Sequence, residues 1–241
     1  QRQLMNSKVL VIGAGGLGSP LLLYLAAAGI GTIGIIDDDK VELSNLQRQI
    51  IHKNKNIGMS KTLSAKKSIL SINPDINVIT YNERFNVINA NKILKNYDII
   101  ADGSDNFGTR FLVNDTCYLL NKTLVSAAIL RFEGQISTYS AHKNGNACYR
   151  CLWPAPPEEG VVATCGEAGV FGALAGTIGS IQAIEVIKEI LNIGVSLNNY
   201  LIIFDTLSME MRKVKIKKDT NCKLCGKNPS IRKIQENKDY K

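Results

Sequence analysis

The sequence predicts an α/β protein: a Rossmann-like, mostly parallel sheet with helices on both faces, continued by a C-terminal strand region and a four-cysteine zinc site. Three observations lead there. Apolar runs of strand length alternate with helical patterns, the order that lays parallel strands side by side and covers both faces. The first run, Val9-Leu10-Val11-Ile12, passes straight into Gly13-Ala14-Gly15-Gly16-Leu17-Gly18, a G-x-G-x-x-G turn that opens a helix. The cysteines fall as Cys148-x-x-Cys151, Cys222-x-x-Cys225 and two singles, a spacing suited to metal chelation in a reducing compartment rather than to disulfides.

Along the chain, Lys8–Ile12 reads as a buried strand and Leu17–Ala28 as its helix, closed by Gly29. Thr32–Asp37 is a second strand. Leu43–Ile51 is too polar to be mostly core and reads as a short helical segment. Lys61–Ile72 has helical periodicity and stops at Asn73-Pro74. Ile76–Tyr81 is a strand, Val87–Lys95 a helix, Asp98–Asp102 a strand, Thr109–Leu120 a helix, and Thr123–Ala128 and Gly134–Ser140 later strands. From Cys148 to Cys165 the chain is Pro-rich, around Trp153-Pro154-Ala155-Pro156-Pro157, and reads as a loop of functional length. Glu167–Asn192 is a long helix with Ile178, Ile181, Ile184, Ile187 and Leu191 on one stripe. Its Gly169, Gly172, Gly176 and Gly179 permit another backbone to approach closely. Tyr200–Asp205 and Met209–Ile216 are late strands.

The 241 residues suit one domain. Residues 1–141 form its nucleotide-binding part, and 142–241 its crossover loop, long helix, late strands and metal-tied tail. A chain 45% hydrophobic and 21% charged is soluble and globular in type. The net charge of +8 accompanies free use of lysine throughout, with a concentration in Arg212–Lys218 and after Cys225. That pattern reads as solvated faces and tail, and a nucleic-acid partner is not expected. The longest apolar stretch, Ala168–Ile184, is broken by Thr177, Ser180, Gln182 and glycines, which argues against a membrane span. No secretory signal is visible, so the expected compartment is the cytoplasm. The chain opens at Gln1 rather than methionine and reads as trimmed, so targeting by any preceding segment cannot be judged.

The chemistry begins at the glycine turn. Gly13, Gly15, Gly16 and Gly18 allow backbone N–H groups to face phosphate oxygens. Asp37, at the tip of the next strand, is placed to accept from a ribose. Those parts alone also fit a dinucleotide and an NAD-dependent oxidoreductase. Asp105, in Gly103-Ser104-Asp105-Asn106, suits a metal–nucleotide site or an ordinary helix N-cap. Two C-x-x-C pairs offer four thiolates, enough to close a tetrahedral structural Zn²⁺ site. Cys165 precedes the long helix, whose N-terminus would favour a thiolate, although packing at a helix start explains it equally. Cys117 reads as core.

Further motifs complete the pattern: Asp37-x-Asp39-x-Val41-Glu42-x-Ser44-Asn45-Leu46-Gln47-Arg48-Gln49, Gly58-x-x-Lys61 and Asp102-Gly103-Ser104-Asp105-Asn106. With the glycine turn and the paired cysteines, the chain resembles the ThiF/MoeB/HesA family of ubiquitin-activating-like adenylyltransferases from about Gln3 to Gly226. The resemblance implies that Mg-ATP is used to adenylate the C-terminal glycine of a small ubiquitin-fold sulfur-carrier protein ending in Gly-Gly. Such a step brings two anions together, so positive charge and placement dominate and no nucleophilic side chain is needed. By resemblance Asn45, Arg48 and Lys61 surround the phosphates, Arg48 as a planar fork and Lys61 as a point charge. Asp105 would hold Mg²⁺, and Asn106 belongs to the same nucleotide site. Asp39 and Arg110 suit structural pairing as well as direct contact.

The family also implies a homodimer, and a carrier tail threading beneath the Cys151–Cys165 loop. A sulfurtransferase or cysteine desulfurase would supply sulfur. In one branch a cysteine matching Cys165 becomes linked to the carrier; in another it is dispensable. One departure stands out. Relatives carry, upstream of the first strand, an arginine lent to the partner subunit, and this chain opens just after that segment; Arg2 is no safe substitute. After Cys225 too little chain follows for the sulfurtransferase domain fused to some relatives. A branch that activates a tRNA-linked carboxylate is the alternative within this chemistry, and the paired cysteines argue against it. A retained but non-catalytic nucleotide fold is the alternative outside it.

Overall fold

The computed structural model describes residues 1–143, 145–158 and 169–240. Eight strands are β1 Lys8–Ile12, β2 Thr32–Ile36, β3 Asn77–Tyr81, β4 Ile99–Asp102, β5 Thr123–Leu130, β6 Glu133–Tyr139, β7 Tyr200–Asp205 and β8 Glu210–Lys215. They form one sheet in the order β3-β2-β1-β4-β5-β6-β7-β8. The first five in that order run parallel, and β6, β7 and β8 are added antiparallel. The change of direction is local. β5 and β6 are joined through Arg131 and Phe132, with Arg131 at φ +52°, whereas the parallel strands need helical crossovers.

The described helices are α1 Arg2–Asn6, α2 Gly18–Ala28, α3 Lys61–Ile72, α4 Ala90–Leu94, α5 Phe107–Leu119, α6 Tyr149–Leu152 and α7 Gly172–Leu191. Alternation along the strands decides which face each helix covers. Val9, Val11, Ile33 and Ile35 pack with α2, α3 and α7 on one face. Leu10, Ile12 and Ile36 pack with α4 and α5 on the other. Leu21, Leu22 and Leu25 of α2 are fully buried, each contributing about 1.5–3 kcal/mol of apolar burial. Edge strand β8 is exposed along its whole length. Among the described residues no helix is long and apolar enough to cross a membrane.

Several boundaries depart from expectation for visible reasons. Leu43–Ile51 is a 3-10 turn at Leu43–Asn45 followed by turns, because Glu42 and Asn45 cap that turn reciprocally. α5 starts at Phe107 rather than Thr109, because the Asn106 side chain accepts the Thr109 N–H at 2.8 Å. The long helix begins at Gly172; Glu167 lies outside the described residues. Its core face is Leu174, Ile178, Gln182 and Val186, and Ile184 of the expected apolar stripe is exposed. Close backbone approach is confined to two of its glycines. A Cβ at Gly179 would lie 2.4 Å from the Leu17 carbonyl oxygen and one at Gly172 would lie 2.2 Å from that of Gln47, whereas Gly169 and Gly176 face open space.

Candidate active site

β1 hands the chain to β2 on one side while β4 pairs on its other side, leaving a crevice at the C-terminal strand ends where this topology reverses. The glycine turn borders it. Gly13 stands at φ +90°, a conformation open to glycine. Gly18 serves packing: a Cβ there would sit 2.0 Å from the Gly13 carbonyl oxygen, so α2 can start directly under the turn. A cavity of about 350 Å³ fills the crevice and is lined by Gly13, Gly15, Gly16, Asp37, Arg48, Lys61, Asp105 and Asn106.

Asp37 holds the turn in shape. Its Oδ2 accepts the Ala14 N–H at 2.8 Å and its Oδ1 the Asp39 N–H at 2.9 Å. Burial pushes its carboxyl above the ordinary aspartate value, with the Lys61 charge and these two amides acting against the shift. Each oxygen keeps a lone pair for a further donor such as a sugar hydroxyl. Lys61 opens α3 and its Nζ lies 2.6 Å from Asp39 Oδ2, the lysine side chain 8% exposed and the aspartate 65%. A cation at a helix N-terminus opposes the helix dipole. The ammonium of Lys61 is thus held at the cavity by an exposed carboxylate. The Arg48 stem lies against Gly16, and among the described residues its fork donates only to the Ser44 carbonyl, at 3.4 Å.

Asp105 makes no hydrogen bond or ion pair among the described residues, and the cap of α5 is Asn106 instead. The helix-cap explanation of Asp105 therefore falls, and its carboxylate is free to take a cation. Beneath it, buried Asp102 accepts the Ser104 N–H at 3.0 Å and the Ser126 hydroxyl at 3.1 Å, fixing the turn that carries Asp105. Arg110 donates to the Ser104 carbonyl at 2.7 Å.

Asn45 is not brought to the cavity. It accepts the Glu42 N–H at 3.3 Å and donates to Ser44 Oγ at 3.5 Å, so capping of the 3-10 turn holds it away. Cys165 lies outside the described residues. Gln49 also lines the cavity, buried, with Oε1 lacking a hydrogen-bond partner among the described residues. In sequence it is one polar residue among several; only its burial sets it apart. His52 is likewise buried. Its Nε2 is 2.9 Å from the Ala14 carbonyl, which can only accept, so Nε2 carries the proton. Nδ1 then accepts from Ser64 Oγ at 2.9 Å, and Asn56 Nδ2 donates to that hydroxyl at 2.9 Å. Both ends of the Ala14 residue are thereby held, its N–H by Asp37 and its carbonyl by His52.

A second cavity of about 650 Å³ adjoins the first and shares Asp105, Arg110 and Ile129 with it. Its walls are largely apolar, among them Ala127, Ile136, Tyr139 and Leu201, and Trp153, Ala155 and Pro157 of the crossover segment complete them. Behind that segment the two C-x-x-C pairs converge. Cys148 Sγ lies 3.5 Å from Cys222 and 3.4 Å from Cys225, Cys151 lies 3.4 Å from Cys225, and the sulfurs of Cys148 and Cys151 are 3.9 Å apart. Four sulfurs bound tetrahedrally at about 2.3 Å would stand roughly 3.8 Å from one another. The donor set fits a metal ion.

Residues 1–224 match the ThiF family. The chain belongs to the ThiF family. This ThiF-family chain is 43% identical over 237 residues to the sulfur carrier protein adenylyltransferase of Thermus thermophilus, covering 97% of this chain and 88% of that protein. It is 47% identical over 229 residues to the adenylyltransferase and sulfurtransferase MOCS3-1 of Zea mays, covering 95% of this chain and 48% of that one. It thus spans about half the length of the MOCS3 relatives. The crystal structure of E. coli MccB with MccA-N7isoASN superposes with a TM-score of 0.84 at 24% identity, over 93% of this chain and 68% of that one, a likeness of fold.

Proposed function

We propose that this ThiF-family chain is an ATP-dependent adenylyltransferase that activates the C-terminal glycine of a small ubiquitin-like sulfur-carrier protein and releases pyrophosphate. One observation carries the reading: the polar cavity and the apolar groove meet at Asp105 and Arg110. An extended protein tail lying in the groove would end beside the phosphate-facing groups. The named activities of the Thermus and maize relatives support it.

In this reading a terminal carboxylate oxygen forms a bond to the α-phosphorus, the bond to the leaving pyrophosphate breaks, and an acyl-adenylate remains. The glycine turn supplies backbone N–H donors and Asp37 takes the ribose. Arg48 and Lys61 offset the repulsion between carboxylate and triphosphate, Lys61 releasing Asp39 as it does so. Asp105 would hold Mg²⁺, which when bound supplies further positive charge at the phosphate oxygens. Gln49, buried and unpartnered at Oε1, is a further nucleotide contact.

The four cysteines would hold zinc in a closed, structural site that ties the crossover segment to the chain's later part. A homodimer is part of the proposal, favoured by Tyr24 of α2 and Ile184 of α7, which stay exposed on two helices packed together. So are a cytoplasmic setting and a sulfurtransferase or cysteine desulfurase as sulfur donor. The deciding experiment is ATP–pyrophosphate exchange with Gly-Gly-ended carriers. Carrier-dependent exchange is expected; background exchange with the full-length protein and several carriers would sink the reading.

A further inference from the structure

Among the described residues the most deeply buried cation lines neither the polar cavity nor the apolar groove. Arg150, 1% exposed, sits between Cys148 and Cys151. Its Nε and Nη2 form a fork on Asp115 of α5, at 2.8 Å each to Oδ1 and Oδ2. Its Nη1 donates to Asp239 Oδ2 at 2.7 Å and reaches the Pro154 carbonyl at 3.4 Å. The guanidinium also lies over the Phe111 ring, 4.6 Å from its centroid. Tyr240 donates its hydroxyl to Asp115 Oδ2 at 2.8 Å. Three stretches far apart in sequence therefore close on one guanidinium. A charge so buried is tolerated only when its donors are matched, and removing one partner leaves the rest uncompensated.

What this cluster holds is the roof of the groove. Pro154 lies between Trp153 and Ala155, which line the apolar cavity, and Tyr149, next to Arg150, lines it too. α5 carries Asp115 and, at its opening turn, Arg110. We propose that Asp239 and Tyr240 form an intramolecular clasp that completes the Arg150–Asp115 pair and thereby sets the position of Trp153–Pro157 over the groove. They act as positioning residues for the carrier tail, and this function rests on the adenylyltransferase reading above. None of Asp115, Arg150, Asp239 and Tyr240 lines the polar cavity.

The test uses the full chain with Asp239→Ala and, as the milder change, Tyr240→Phe. Trp153 is the only tryptophan, so its fluorescence reports the roof without any carrier. Acrylamide quenching of Trp153 is expected to rise about twofold and KM for the carrier about tenfold in Asp239→Ala, while ATP affinity stays within about twofold. Tyr240→Phe should move both readouts in the same direction by a smaller factor, and it decides the matter if Asp239→Ala does not fold. Unchanged quenching in a folded variant overturns the clasp, as does a loss of ATP affinity equal to the loss of carrier affinity. A wild-type protein inactive with every carrier overturns the function instead, and Trp153 quenching then still judges the clasp.

Discussion

At the parallel end of the sheet, polar groups crowd the crevice: Asp37, Arg48, Gln49, Lys61 and Asp105 within one cavity. At the antiparallel end the groove is walled by Ala127, Ile136, Tyr139 and Leu201 and roofed by the crossover segment. The polar end is assembled over shorter spans of chain, 23 residues between Asp37 and Ala14 and 22 between Lys61 and Asp39. Asp37 binds the amide two residues on and the glycine turn it faces, and Asn106 caps its own helix. The groove end is assembled from distance: cysteines 74 residues apart, and an arginine held from positions 35 and 89 residues away. The lesson is that substitutions should separate by kind, removing chemistry at one end and shape at the other.

The largest expected effect sharpens that contrast. Asp105 is uncommitted in the fold, so Asp105→Ala should leave melting temperature unchanged. It should lower the rate of carrier adenylation by about a thousandfold or more, through loss of charge stabilisation at the phosphates. Exchange kinetics and calorimetry check both halves. Adenylation continuing undiminished would show that the cavity's uncommitted carboxylate has no part in the step.

The converse substitution lies at the other end. Cys222→Ser takes one ligand from a set of four that joins two distant segments. Bound metal should fall and melting temperature drop by about 10 °C, the equivalent of roughly 3–4 kcal/mol in a chain of this size. ATP affinity measured well below the new midpoint should hold. Were metal content and stability unchanged while ATP binding failed, the two ends would not be separable in this way.

The same contrast explains what could be read from sequence. The glycine turn and Asp37 were legible because a strand-to-helix turn and a strand-end acid have local signatures, whereas the Asp105 stretch was read through its resemblance to a family motif. The pairing of the two C-x-x-C motifs was legible from thiol chemistry together with the family resemblance. The polar run that contains Asn45 gives no sign of which members cap a turn and which face inward, and the fold engages Asn45 as the reciprocal cap to Glu42. His52 and Gln49 carry no local signal for a related reason: burial selects them, and the partners of His52 stand 12 and 38 residues away. Arg150 between two cysteines gave no hint of Asp115 or Asp239. Of the apolar stripe on the long helix, Ile178, Ile181, Ile187 and Leu191 pack into or against the core and only Ile184 is exposed, while Gln182 turns inward to donate to the Asp102 and Val125 carbonyls.

His52 offers the smallest effect and the finest probe, since it belongs to the polar end yet acts through the fold. Burial pushes its pKa below the usual imidazole value, and the Lys61 charge acts the same way. The folded state therefore binds fewer protons than the unfolded chain between the folded pKa and about 6.5. In that window stability falls as pH falls, by at most about 1.4 kcal/mol per pH unit, because the unfolded state gains the proton first. Above about pH 6.5 the His52 contribution is complete and flat. His52→Gln keeps an amide N–H able to reach the Ala14 carbonyl but cannot titrate. The stability difference between wild type and His52→Gln should therefore narrow, by no more than about 1.4 kcal/mol, as urea unfolding is repeated from pH 7.5 down to 5.5. A difference independent of pH would mean that His52 is not held neutral under the glycine turn. The turn's carbonyl would then be positioned by something other than the Asn56–Ser64–His52 chain.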